Sequence, residues 1–155
     1  VKPSIAAGAA ASLAALALAG CSYVNPITTK ENYAASDGSQ LIVGEVEALN
    51  LIVVTEAEGS PATLIGTLYN GSSEDITVDV TFDGATSTSV DVPSMGSTRL
   101  GPDGDATEVS GTAPAAPGLL AETSFVSATE GAYSVEVPVM DATLPEYQSV
   151  VDAIG

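Results

Sequence analysis

An all-β fold, an immunoglobulin-like sandwich of about seven to nine strands, is predicted by three observations. Short runs rich in β-branched residues recur from Leu41 onward, turn residues divide them, and no long helical pattern competes. Strands of a sandwich alternate between a buried and a solvated face, so short runs separated by turns are what two packed sheets require.

Leu41–Glu47 and Leu49–Thr55 come first and are closed by Glu58-Gly59-Ser60-Pro61. Thr63–Tyr69 leads into Asn70-Gly71, a dipeptide that favours a hairpin turn. Ile76, Val78, Val80 and Phe82 then alternate with Thr77, Asp79 and Thr81, the pattern of a half-buried strand. Asp83-Gly84 turns the chain into Thr86–Val92, which ends at Pro93. Ser97–Leu100, Ala106–Val109, Leu119–Ser127 and Tyr133–Val139 complete the set. In the tail, Tyr147, Val150, Val151 and Ile154 follow a helical spacing after Pro145, which predicts a short terminal helix.

The N-terminus is of another kind. Ile5–Ala19 carries no charge, follows a lone Lys2, and is shorter than the ~17–25 residues of a membrane-spanning helix. It ends in Leu18-Ala19-Gly20-Cys21, which reads as a lipobox. Small residues suit a peptidase cleft, and the Cys21 thiol is the only one in the chain able to form a thioether to diacylglycerol. Two acyl chains anchor stably where one binds only marginally. Val1 in the initiator position fits a precursor. The expected organisation is a cleaved signal peptide over 1–20, a lipidated N-terminus and tether over 21–40, and a β-sandwich over 41–155. A flexible tether of that length spans about 20–25 Å, beyond a Debye length of about 8 Å. The expected location is the extracytoplasmic face of the cell membrane, with the membrane itself as partner through Cys21.

Charge and missing residues narrow the function. The formal net charge is −17, with 20 acidic residues against Lys2, Lys30 and Arg99. Such a field repels nucleic acid and anionic headgroups. There is no histidine, which removes Ser-His and Cys-His catalysis and imidazole metal ligation. No nucleophile elbow, S-x-x-K arrangement or phosphate-binding loop occurs. Paired carboxylates can hydrolyse glycosides, but a chain without tryptophan and with two phenylalanines lacks the platforms a sugar cleft uses. No enzyme activity and no cofactor are expected.

Three features invite a ligand reading. Asp103-Gly104-Asp105 resembles the start of a calcium loop, yet the places that need Gly and Glu hold Glu108 and Pro114, so a β-turn is favoured. Asn70-Gly71-Ser72 matches a glycosylation acceptor, but a hairpin turn explains it sufficiently. Met95 and Met140 are thioethers of the type that binds Cu(I), but two of them without His or free Cys make too few soft ligands. They are the metal candidates of a chain otherwise expected to have no metal site.

Val90-Asp91-Val92-Pro93, Leu100-Gly101-Pro102-Asp103-Gly104, Pro117-Gly118 before a strand, Gly131, and Val135-Glu136-Val137-Pro138-Val139 follow one another in a recognisable order. The order resembles the periplasmic copper-chaperone (PCuAC) family and its actinobacterial lipoprotein relatives of the LpqE kind. Asn25-Pro26-Ile27-Thr28-Thr29, with Tyr33 and Ser36-Asp37-Gly38, is similar to the start of the lipoprotein branch. The resemblance implies a cupredoxin-like sandwich and a place in the envelope. The His-x-Met pair of the copper family would fall at about Ala106 and Glu108, so its ligand set does not carry over. The leading expectation is therefore a non-catalytic binding module for an envelope protein or a small ligand. Copper or other cation handling is the alternative, and a structural role in envelope assembly the second alternative.

Overall fold

The computed structural model describes residues 7–8 and 36–154. The chain divides into two compact units, residues 1–33 and 34–155. In the first, Ala7 and Gly8 are helical; Leu18–Cys21, expected to be a lipobox, and the expected tether up to residue 35 lie outside the described residues.

The second unit is a sandwich of nine strands and one helix. The strands are β1 (Ser39–Val43), β2 (Val46–Thr55), β3 (Pro61–Asn70), β4 (Ile76–Thr81), β5 (Thr88–Val92), β6 (Ser97–Leu100), β7 (Ser110–Thr112), β8 (Leu120–Ser127) and β9 (Gly131–Met140). The terminal helix spans Pro145–Ile154. The strands form one continuous path, β5-β4-β8-β9-β2-β3-β6, with β1 paired to β2 and β7 to β3. It curls into two layers. The first sheet contains β1, β2, β3, β6 and β7, the second β4, β5, β8 and β9, and a short parallel pairing of Val53 and Val54 with Val139 and Met140 joins them. At the other end of the path, the Thr98 hydroxyl donates to the Asp91 carbonyl at 2.7 Å, bringing β6 against β5.

The core fills the space between the layers. Leu51, Val53, Leu64, Leu68 and Leu100 of the first sheet meet Val78, Val80, Val90, Phe125, Val137 and Val139 of the second. A smaller cluster lies outside the first sheet, where Tyr147, Val150 and Val151 of the helix cover Ile52 and Val54. Pro145 opens the helix at a position where the missing N–H costs nothing, and Glu146 sits favourably in the first turn. The helical spacing read from Tyr147, Val150 and Val151 is thus realised.

The bend in β2 explains how one strand serves both clusters. Its pairing with β3 slips between Leu49 and Ile52, and Asn50 adopts a left-handed conformation, φ 52°. This β-bulge inserts one residue and changes which positions face inward. Val46 and Ala48 point into the sandwich before it, Leu51 and Val53 after it, leaving Ile52 and Val54 for the helix. Gly66 lies opposite the bulge, where a Cβ would stand 3.0 Å from the Leu49 carbonyl oxygen.

Three sequence expectations need correction. Leu41–Glu47 is not one strand: a two-residue loop, Gly44-Glu45, turns β1 back onto β2, with Gly44 at φ 59° where glycine is the ready choice. Asn70-Gly71 is not a hairpin. β3 and β4 belong to different sheets, so the segment crosses between layers. The buried Asn70 amide donates to the carbonyls of Glu74 at 2.7 Å and Val92 at 3.1 Å, and its oxygen accepts the Ser72 N–H at 2.9 Å. Buried and engaged in this way, Asn70 is no glycosylation acceptor in the folded chain. Ala106–Val109 is not a strand either; a single bridge joins Thr107 to Leu100, and pairing resumes at Ser110.

Candidate functional site

The residues singled out for metal chemistry are not brought together. Met95 sits at the tip of the β5–β6 turn, 67% exposed, with φ 50°, and its N–H donates to the Ser72 carbonyl at 2.9 Å. That tip belongs to the end of the sandwich marked by the Val46–Asn70 pair. Met140 pairs beside Val54 at the other end and packs near the helix. Val46 and Val54 are eight residues apart on β2, which at ~3.3 Å per residue places the two ends about 25 Å apart. The two thioethers of one chain cannot share an ion.

Asp103-Gly104-Asp105 forms the expected turn, closed by the Ala106 N–H on the Asp103 carbonyl at 3.0 Å. Glu108, at the second of the two copper-ligand places, accepts a hydrogen bond from the Ser110 hydroxyl. Among the described residues, no group of three or more His, Cys, Asp or Glu is arranged to hold a metal ion.

Carboxylates shape the surface in several places. Asp83 follows β4, and its Oδ1 accepts the N–H groups of Ala85 at 2.9 Å and Thr86 at 2.7 Å, while Oδ2 faces the Thr112 N–H at 3.4 Å. Partial burial alone would push this carboxyl up, but the hydrogen bonds from Thr86, Ala85 and Thr112 outweigh it and hold the pKa below the usual value. Asp83 thereby ties the β4–β5 turn to β7. In the helix, burial first, then the charges of Asp37 and Glu146, push the Tyr147 phenol up.

Among the described residues, one depression of about 380 Å³ lies beside Asp83 and Glu122, and two others bear more directly on a ligand. One, about 500 Å³, is lined by Glu45, Glu74, Asp75 and Glu130 with Ser127 and Thr129. The other, about 310 Å³, lies between β6 and the terminal helix and is lined by Arg99, Asp103, Glu146, Ser149, Asn50 and Thr67, among others. Arg99 is the only basic side chain among the described residues. Its guanidinium makes no hydrogen bond or ion pair with any of them. In the sequence, Arg99 enters only the charge balance. The available signal was its isolation, as the sole basic residue after Lys30.

No family model matches the chain, and no curated protein matches it. Solved structures do. An apo PCuAC domain from PmoF1 is similar with a TM-score of 0.53 at 16% identity, over 66% of this chain and 99% of that one. A copper-bound PCuAC domain from PmoF2 is similar with a TM-score of 0.50 at 15% identity, over 66% and 98%. An apo PmoF2 PCuAC domain gives 0.51 at 16%, over 68% and 98%. At such identities the likeness defines the class of fold: a β-sandwich of the PCuAC type. The fold expected from the strand pattern and the resemblance is therefore the fold found.

Proposed function

We propose that this chain is a binding module of the cell envelope, anchored by diacylglycerol on Cys21 and presenting its PCuAC-type sandwich outside the membrane. The observation that carries the binding-module part is the match of the sandwich to nearly the full length of PCuAC domains. The lipobox Leu18-Ala19-Gly20-Cys21 supports the anchor. Binding rather than turnover suits a chain with no histidine and no nucleophile motif. Feeding cells a labelled fatty acid tests the anchor. Label should appear on the wild-type chain and be absent from Cys21→Ser; an unlabelled wild type would end this part of the proposal.

A second reading is copper or other cation handling, which the copper-bound PmoF2 domain supports more directly than any likeness supports the anchor. Its ligands would differ from a His-x-Met pair, since Ala106 and Glu108 stand at the corresponding places. With Met95 and Met140 at opposite ends, a soft site would draw on one methionine, or on methionines from two copies. Titration of Cu(I) into wild type, Met95→Ala and Met140→Ala decides this. Tight binding lost in either variant supports it, and equal weak binding in all three removes it.

A further inference from the structure

Arg99 lies on the outer face of the first sheet, directly across the ladder from Thr67 and beside the terminal helix. It shares one concavity with Asp103 and Glu146, yet among the described residues no carboxylate is close enough to form an ion pair with it. Guanidinium and carboxylates therefore stand around the same space without closing on each other. The wall beneath them is fixed by backbone. Asn50 is held in its bulge by the Gly38 N–H on its Oδ1 at 3.1 Å, and Gly66 allows no side chain where the strands press together.

Two further facts define what this space can take. A guanidinium offers a planar fork of donors matched to a carboxylate or phosphate oxygen pair. The chain as a whole carries a net charge of −17, so a simple anion meets repulsion on approach. A ligand that brings its own positive group escapes that repulsion and finds Asp103 and Glu146 to receive it. The volume, about 310 Å³, is at the small end for ligand sites.

We propose that the depression between β6 and the terminal helix is a binding site for a small zwitterion, its anionic group on Arg99 and its cationic group facing Asp103 and Glu146. This site does not depend on the anchor or on cation handling. The test follows backbone amide resonances of Thr67, Arg99 and Gly101 in the full-length chain. The probes are glycine, 4-aminobutyrate and 6-aminohexanoate, with acetate and methylammonium as single-charge controls.

At least one amino acid should give saturable shifts, at least tenfold tighter than either control. Arg99→Gln should weaken it at least tenfold, and so should Glu146→Gln or Asp103→Asn. All three exchanges are at the surface, and the unliganded amide spectrum reports whether each variant is folded. If one variant does not fold, the others still decide. Saturation by acetate with equal affinity, no saturable shift from any amino acid, or unchanged affinity in the folded variants would each overturn the proposal.

Discussion

The first sheet turns Ile52 and Val54 outward and covers them with the terminal helix, whereas the second turns Thr77, Asp79, Asp91, Glu122 and Glu136 outward and leaves them bare. Both faces belong to strands of similar length in the same sandwich. The covered face adds a second hydrophobic layer. The bare face carries hydroxyl–carboxylate pairs, such as the Thr77 hydroxyl on Asp91 at 2.7 Å, and the pair formed by Ser89 and Asp79. Exposed pairs of this kind contribute little stability. Their charge instead keeps a flat β surface from pairing or stacking with others. One face is therefore built for cohesion and the other for solubility, and the only described cation stands on the cohesive side.

The contrast can be broken most directly by placing the same charge on both faces. Val54→Asp would bury an unpaired carboxylate beneath the helix and should cost about 4 kcal/mol or more in urea unfolding. Val126→Asp, on the bare face, should cost no more than about 1 kcal/mol, through repulsion by Asp79 across the ladder. Equal losses would mean that the helix does not seal the first sheet.

A smaller effect concerns the link that Asp83 makes across the edge of the bare sheet. Its pKa is lowered in the folded chain, so its contribution is complete above the unfolded value near 4 and is lost as pH falls through the folded value. Asp83→Asn should remove about 1 kcal/mol at neutral pH, given that the carboxylate is half-exposed. Its unfolding midpoint should then fall less steeply than that of wild type on acidification. Parallel acid profiles of the two chains would show that Asp83 holds nothing together. Smallest is a gain. Glu122 and Glu136 face each other across β8 and β9, a like-charge pair on an exposed ladder. Glu122→Lys should stabilise the chain by about 0.5 kcal/mol at low salt, and the gain should shrink as salt is raised.

Much of this architecture was legible in the chain because local pattern and burial agree. The alternation from Ile76 to Thr81 is the alternation of buried and exposed positions in β4. Pro145 and the spacing of Tyr147, Val150 and Val151 marked the helix because its buried face is fixed by its own periodicity. What escaped depends on partners distant in sequence. Leu41–Glu47 has the composition of a single strand, and only β2 folding back on β1 reveals the turn at Gly44. Leu49–Thr55 lacks clean alternation because its second half is buried on both sides, by the core and by the helix. Asn70-Gly71 favours a tight turn locally, but the buried amide is claimed by Glu74 and Val92. The depression at Arg99 draws on β2, β3, β6 and the helix, and no single stretch of sequence contains it.

The extra residue at Asn50 has a wider consequence. Below it β2 has one hydrophobic tenant to satisfy, above it two, and the kink assigns each side chain to its layer. Shortening the strand there by one would send Leu51 and Val53 toward the helix and Ile52 and Val54 into the sandwich, so this position is closed to insertion and deletion even where single substitutions are tolerated.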